Sequence, residues 1–178
     1  MEKITEKLKK IRKTKKIVLC HGVFDLLHIG HILHLQDAKS LGDVLIVTIT
    51  DKKKIYKGPG RPYFDNLERA QSLAALSFVD FVAISEEETA LTSINAVKPN
   101  YYCKGQDYSE DKNDITGKII IEKKALKKIN AKLHITNQNQ KSSSKLINEK
   151  SDIFTDKSKK FLNSLRKRFD EKKLIKLF

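Results

Sequence analysis

Residues 17–31 read Ile17-Val18-Leu19-Cys20-His21-Gly22-Val23-Phe24-Asp25-Leu26-Leu27-His28-Ile29-Gly30-His31, and they indicate the class of fold. Its first four residues form a short apolar run of the kind found in fully buried strands. A turn containing glycine follows, and apolar residues then recur at helical spacing as far as Gly42. Val44 to Thr50 is a second apolar run. The order of strand, loop, helix and strand predicts a βαβ unit.

Two histidines, His28 and His31, lie three residues apart at the predicted start of the helix. Their imidazoles therefore share one face of its first turn. The same turn offers backbone N–H groups and the positive end of the helix dipole, which together favour a phosphate. Gly30 has no side chain, so an anion can approach the backbone closely. The pattern predicts a phosphate site with two imidazole donors, and a pair of surface histidines on an ordinary helix is the alternative.

Composition bounds the class of protein. The chain has 178 residues and a net charge of +14, of which residues 1–16 carry +6 and residues 149–178 carry +5. A folded domain that reads nucleic acid is expected to carry a basic face of its own, so we expect no specific nucleic-acid partner, although the two ends could bind polyanions. Two cysteines and the lack of a long apolar run predict a cytoplasmic protein without a membrane span. Cys20 and Cys103 are expected to be core residues.

The rest of the chain continues the alternation of strands and helices. Further strands are predicted at Val79 to Ile84, from Asn100, and at Ala131 to Thr136, with helices from Asp65, at Glu87 to Val97 and at Ile115 to Ile129. Such alternation predicts a parallel sheet with right-handed crossovers. We expect three parts: a basic N-terminal helix over 1–16, a main domain over 17–148, and a basic amphipathic helical extension over 149–178.

The motif residues carry a family resemblance. Gly22, Phe24, Asp25, His28, Gly30 and His31 match the pattern Gly-x-Phe-Asp-x-x-His-x-Gly-His. This pattern resembles the signature of the cytidylyltransferase-like branch of the His-x-Gly-His nucleotidyltransferase superfamily. The resemblance covers about residues 17–148 and implies an α/β, Rossmann-like, five-stranded parallel sheet of order 3-2-1-4-5 with helices on both faces. It also implies that a phosphorylated small molecule attacks the α-phosphorus of a nucleoside triphosphate and releases pyrophosphate.

The long basic loop after the second strand carries two further candidates. It runs from Asp51 to Pro62 and follows the carboxyl end of a strand, where open α/β sheets place their ligands. Lys57 and Arg61 are expected to neutralise a triphosphate or a sugar phosphate, and the family carries a similar Lys-Gly then Arg-Pro segment. A solvated charge run is the alternative, and we prefer it for the lysines at positions 52–54.

Three more elements resemble parts of the family's site. Lys104 and Asp107 match its Lys-Gly-x-Asp-Tyr element, in which the lysine meets phosphate and the aspartate helps to arrange the substrate; a turn with a local ion pair is the alternative. Arg69 matches an arginine that the family directs toward the nucleotide, and a surface arginine is the alternative. A serine run lies at the predicted start of a helix and comprises Ser142, Ser143 and Ser144. These serines can cap the helix and donate hydrogen bonds to phosphate. The run resembles the second sequence signature of the family.

The resemblance thus implies a complete set of roles. The predicted catalytic residues are His28, His31, Lys57 and Lys104. The predicted nucleotide-binding residues are Gly22, Val23, Phe24, Asp25, Gly30, Arg69, Ser142, Ser143 and Ser144. Arg61 and Asp107 are predicted to bind the acceptor. Mg²⁺ is expected to arrive on the triphosphate, because the sequence shows no dense carboxylate cluster.

The same motifs narrow the range of expected substrates. The Gly-Val-Phe-Asp-Leu-Leu-His and Lys-Gly-Gln-Asp-Tyr stretches most resemble heptose 1-phosphate adenylyltransferase domains, which serve surface polysaccharide synthesis. Glycerol-3-phosphate-type cytidylyltransferases, which use CTP, are the alternative, and a non-catalytic nucleotide- or polyanion-binding protein is an alternative of another class. We expect ATP or CTP and a phosphorylated sugar or polyol as substrates, and a homodimer.

Overall fold

The computed structural model describes residue 8, residues 10–56, 61–87, 89–105 and 118–136, and residues 157, 160 and 164. The chain divides into two units, Met1–Ser143 and Ser144–Phe178, and every element given below belongs to the first. The predicted extension over 149–178 lies almost wholly outside the described residues. Within the described part, no helix combines the length and the apolar character needed to cross a bilayer.

The central element is a parallel sheet of five strands in the order β3-β2-β1-β4-β5, which confirms the expected topology. The strands are β1 Ile17–Gly22, β2 Val44–Thr50, β3 Phe81–Ser85, β4 Tyr101–Lys104 and β5 Lys132–Ile135. Every residue of β2 is buried, as expected for a strand covered on both faces.

In the described part of the chain, four α-helices connect the strands: α1 Ile29–Ser40, α2 Asn66–Ala74, α3 Leu91–Val97 and α4 Lys118–Lys128. The capping box expected at Asp65 and Glu68 is present at the start of α2, where it satisfies backbone N–H groups that lack helical partners. The helix expected from Glu87 begins instead at Leu91. The residue at its N-cap, Ala90, makes no side-chain cap hydrogen bond, whereas the hydroxyl of Thr89 accepts one from the N–H of Leu91 at 3.4 Å.

Helices cover both faces of the sheet, and each face has its own apolar cluster. Leu35 and Ala38 of α1 and Leu73 of α2 pack on one face with Val18, Cys20 and Cys103; we call this the α1 face. Ile94 and Val97 of α3 and Ala125 and Leu126 of α4 pack on the other with Ile17, Leu19 and Tyr102; we call this the α3 face. Leu8 and Ile11, which lie in the stretch predicted to be an N-terminal helix, join the α3-face cluster.

Alternation along the strands determines which polar side chains reach which face, because successive residues of a strand point to opposite sides. Cys20 and Cys103 are fully buried on the α1 face, as expected. Tyr102 belongs to the α3 face, and Lys104, two residues later, therefore shares that side. The helix that carries His28 and His31 packs on the opposite face.

Candidate active site

The loop between β1 and α1 folds the aromatic ring of Phe24 back over the end of β1. Phe24 has φ 46°, a left-handed conformation that is uncommon for a residue with a side chain. A Cβ at Gly22 would lie 3.0 Å from Phe24 Cε2, so only glycine leaves room for the ring without a shift. The ring then meets His31 edge-on, with 5.2 Å between centroids. Gly22 and Phe24 thereby support the position of His31.

His28 is the N-cap of α1. Its backbone is extended, with φ −134° and ψ 169°, and its Nδ1 accepts a hydrogen bond from the N–H of Gly30 at 3.1 Å. A neutral imidazole carries one proton, so the proton of His28 resides on Nε2. The cap therefore fixes the tautomer and makes Nε2–H the donor that His28 can offer to a ligand.

The imidazoles of His28 and His31 are stacked, with 3.9 Å between centroids and 25° between planes. Burial lowers the pKa of His28 below its ordinary value of 6.5, so this ring is neutral at pH 7. The pair stands at the N-terminus of α1, where the helix dipole favours negative charge. A neutral N–H donor at such a place can bind a phosphate oxygen without itself ionising.

Asp25 organises the segment that leads into α2. Its two carboxylate oxygens accept hydrogen bonds from the backbone N–H groups of Tyr63 and Phe64, both at 3.0 Å. Arg61 Nε lies 3.1 Å from Asp25 Oδ2 in an ionic contact whose alignment is not that of a hydrogen bond. Asp25 is 6 % exposed. The geometry thus favours a positioning role for Asp25, holding Arg61 beside the loop that precedes the two histidines.

Arg69 ties together the segments around the site from within the protein. It is fully buried, and its guanidinium donates to the carbonyls of Val23 at 2.7 Å and Thr50 at 2.9 Å and to Asn66 Oδ1 at 2.7 Å. Burial lowers the pKa of Arg69, whereas nearby carboxylates, that of Asp25 first, raise it. The guanidinium stays charged, and its donors face protein oxygens. This geometry favours a brace between the ends of β1 and β2 over the expected direct contact with a nucleotide.

Lys104 is buried on the α3 face. Its Nζ lies 3.0 Å from Glu122 Oε2, and the two side chains are 7 % and 2 % exposed. Glu122 also accepts hydrogen bonds from the Tyr102 hydroxyl and from the N–H of Ala90, both at 3.2 Å. The predicted role of Lys104 was to meet a phosphate, but the structure directs its charge into an ion pair between β4 and α4.

The structure therefore brings together part of the predicted set. Gly22, Phe24, His28, Gly30 and His31 form one unit at the carboxyl end of β1. Asp25, Arg61 and Arg69 surround that unit and brace it. The remaining candidates lie outside the described residues and stay predictions: Lys57, Asp107, Ser142, Ser143 and Ser144.

Two polar groups near the site were not among the predicted residues. His21 places Nδ1 2.9 Å from Thr48 Oγ1 and Nε2 3.3 Å from Thr50 Oγ1. His34 places Nδ1 2.7 Å from Thr136 Oγ1. His34 follows His31 by three residues and His21 directly precedes Gly22. Their closeness to the motif in sequence is the signal that could have identified them.

Comparisons with known proteins agree with the motif and the topology. Residues 19–150 match the family model described as cytidylyltransferase-like. Bifunctional protein HldE from Geobacter metallireducens is 44% identical over 110 residues, which are 61% of this chain and 22% of that protein. Bifunctional protein HldE from Campylobacter jejuni subsp. doylei is 46% identical over 101 residues, 56% of this chain and 22% of that protein. The matched stretch is thus under a quarter of these relatives.

Solved structures show the same fold. The lipopolysaccharide core biosynthesis protein from Thermoplasma volcanium has a TM-score of 0.57 at 26% identity and covers 72% of this chain and 99% of its own. Pantoate-beta-alanine ligase from Francisella tularensis has a TM-score of 0.54 at 20% identity, covering 94% and 78%, and shows the fold alone. The family model spans most of the chain, including β1 from Leu19 onward, the loop, the paired histidines and the other four strands. By that match and this architecture, the chain belongs to the cytidylyltransferase-like family.

Proposed function

We propose that this chain is a nucleotidyltransferase that moves a nucleoside monophosphate from ATP to a sugar 1-phosphate of the heptose 1-phosphate type and releases pyrophosphate. The single observation that carries the proposal is the stacked pair His28 and His31 at the N-terminus of α1. Similarity to the HldE proteins and to a lipopolysaccharide core biosynthesis protein supports the sugar as acceptor. A cytoplasmic enzyme acting in precursor synthesis for surface polysaccharides follows from the same proposal.

In the proposed reaction, an oxygen of the acceptor phosphate forms a bond to the α-phosphorus of the triphosphate. The bond from that phosphorus to the oxygen bridging to the β-phosphate breaks, and pyrophosphate leaves with the electron pair. Such a transfer needs in-line positioning and charge stabilisation more than covalent help from the protein. His28 Nε2–H and His31 are proposed to donate to phosphate oxygens that gain charge as pyrophosphate leaves.

Gly30 is proposed to let the phosphates approach the backbone of α1, and Gly22, Val23 and Phe24 to line the nucleotide side. Arg61, held by Asp25, is proposed to face the acceptor's phosphate. The predicted contributions of Lys57, Asp107 and the serine run at 142–144 belong to the same proposal.

Mg²⁺ is proposed to arrive bound to the triphosphate, where it would neutralise phosphate charge. Among the described residues, no three His, Cys, Asp or Glu side chains are grouped to hold a metal ion. The carboxylate nearest the two histidines in sequence, Asp25, already accepts two N–H groups and contacts Arg61. This arrangement fits a Mg²⁺ ion whose ligands come mainly from the phosphates of the substrate.

The experiment is a pyrophosphate-release assay with each of four nucleoside triphosphates and a panel of sugar 1-phosphates and polyol phosphates. ATP with a heptose 1-phosphate is expected to give the highest kcat/KM. CTP with glycerol 3-phosphate is the second candidate, because the family model is described as cytidylyltransferase-like. Nucleotide binding without pyrophosphate release from any pair would contradict the proposal and favour a non-catalytic binding protein.

A matched pair of variants ties activity to the histidines. His28→Asn keeps a side chain that caps a helix but removes the Nε2–H donor, and we expect turnover to fall by about a hundredfold. His134→Asn is the control, since His134 lies on β5 and its Nε2 is 3.5 Å from Asp37. Equal turnover in the two variants would remove the paired histidines from the proposed chemistry. The homodimer remains a proposal that sedimentation of the full chain would test.

A further inference from the structure

We infer that His34 is a positioning residue for the paired histidines: its hydrogen bond to Thr136 fixes α1 against the ends of β4 and β5. The inference rests on the proposed function, because it assigns His34 to the same site. His34 lies one turn beyond His31 on α1 and is mostly buried. It stands between the aromatic loop residue Phe24 on one side and the far edge of the sheet on the other.

The first step concerns the ring contacts. The rings of His34 and Phe24 are stacked, with 6.4 Å between centroids and 24° between planes. Phe24 in turn meets His31 edge-on at 5.2 Å, and His31 stacks on His28 at 3.9 Å. An unbroken series of three contacts among four rings therefore runs from His34 to the N-cap of α1. His34 therefore belongs to the same ring cluster as both predicted catalytic imidazoles, and the helix that its hydrogen bond fixes carries them at its N-terminus.

The second step concerns Thr136, which is 1 % exposed and directly follows β5. Its N–H donates to the carbonyl of Lys104 at 2.9 Å, and its hydroxyl donates to the same carbonyl at 3.3 Å. Because the hydroxyl proton is used there, the 2.7 Å contact with His34 has Nδ1–H as the donor. His34, Thr136 and the carbonyl of Lys104 thus form a hydrogen-bonded chain from α1 to the last residue of β4.

The protonation of His34 agrees with this direction. Burial lowers the pKa of His34 to about 4, with Asp37 raising it and His134 lowering it. The ring is therefore neutral at pH 7 and has a single N–H to donate. The charged and titratable groups identified around it are Asp37 on α1 and His134 on β5, which contact each other at 3.5 Å.

The third step is what the bond adds to the packing. The buried side chains of α1 are Leu35 and Ala38, whose apolar contacts are non-directional and leave the helix some freedom to slide or turn. A short hydrogen bond is directional and fixes one rotation of the helix over the sheet. The strand ends that it reaches continue in sequence into the segments that hold the predicted site residues Asp107 and Ser142 to Ser144. His34 therefore sets the first turn of α1 relative to those strand ends.

The experiment compares two replacements of His34, one of which keeps an aromatic ring and the other a hydrogen-bond donor. His34→Phe keeps a ring to stack on Phe24 but removes the donor, and Thr136 still has the Lys104 carbonyl for its hydroxyl. His34→Asn keeps an N–H donor near the position of Nδ1 but removes the ring. His134→Phe is the control, because it changes a different contact between α1 and β5, that of His134 with Asp37, and leaves Thr136 unchanged.

We expect His34→Phe to lower kcat about tenfold, because small misplacements of reacting groups are costly, while the KM for ATP stays within about twofold. His34→Asn and His134→Phe are expected to keep most of the wild-type kcat. Equal losses in His34→Phe and His34→Asn, a loss in His34→Asn alone, or no loss in either would each overturn the hydrogen bond as the positioning element. The melting temperature of every variant is measured beside its kcat, and a fall in kcat that merely follows lost folding at the assay temperature also counts against the inference.

A second readout needs no activity. Long-range ¹H–¹⁵N spectra of the ligand-free protein report the ring environment of each histidine, and we expect the resonances of His28 and His31 to move in His34→Phe but not in His134→Phe. If the wild-type protein releases no pyrophosphate, the proposed function fails, while these spectra still decide the positioning. If the resonances of His28 and His31 stay in place, the positioning inference fails although the proposed function stands.

Discussion

Lys104→Met is expected to reduce folding stability rather than to act selectively on catalysis. The change keeps most of the aliphatic stem and removes the ammonium group, whose Nζ lies 3.0 Å from Glu122 Oε2 in a pair that is 7 % and 2 % exposed. Glu122 would remain a buried carboxylate, still accepting hydrogen bonds from Tyr102 and Ala90. An unpaired buried charge is costly because water no longer solvates it.

The size of the effect follows from this geometry. Removing one partner of a buried ion pair costs about 3–5 kcal/mol, and the two donors that remain on Glu122 place the loss near the lower end, about 3 kcal/mol. For a chain of this size, such a loss lowers the melting temperature by roughly 6 to 12 °C. The double variant Lys104→Met with Glu122→Gln removes both charges and is expected to recover at least half of the lost stability.

Urea unfolding followed by circular dichroism measures these losses, and pyrophosphate release is assayed well below the melting temperature. Lys53→Met is the control, since Lys53 is exposed in the basic loop after β2, and its stability should match the wild type. Unchanged stability in Lys104→Met together with a loss in kcat/KM worth about 2–4 kcal/mol would refute this reasoning. It would favour the prediction that Lys104 meets a phosphate.

Three further predictions follow from the site. His28→Ala is expected to lower the free energy of unfolding by about 1 kcal/mol through loss of the N-cap, whereas His28→Asn should keep it; equal melting temperatures for the two variants would contradict the capping role. Arg69→Lys loses the forked donors that reach the carbonyls of Val23 and Thr50 and should cost about 2–4 kcal/mol in urea unfolding; full stability with abolished ATP binding would instead indicate direct contact with the nucleotide. The free energy of unfolding should also fall with acidification, because the pKa of His34 is lowered from 6.5 to about 4 in the folded state. Between these two values the unfolded state binds a proton at this histidine and the folded state does not. The stabilisation is present above pH 6.5 and is lost down to about pH 4, by about 3 kcal/mol, and His34→Asn should lack this part of the pH dependence in unfolding curves measured across that range.

The sequence determined the parts of this protein that depend on neighbours along the chain. The buried run at Ile17 to Cys20, the helix beginning after His28 and the capping box at Asp65 are local patterns, and the structure contains all three. The strand order 3-2-1-4-5 came from the family resemblance and is also present. The paired histidines were predictable because residues three apart on one helix must share a face.

The intraprotein partners of the charged and polar side chains could be read only from the tertiary structure. Arg69 reaches Val23, 46 positions away, and His34 reaches Thr136, 102 positions away. Lys104 was expected at the phosphates, but the strand's alternation and the placement of α4 bring Glu122 within 3.0 Å of it. Partner choice of this kind depends on which helix covers which face of the sheet. A buried charge then pairs with an opposite charge that the packing brings near it, because a buried charge without a partner is strongly unfavourable.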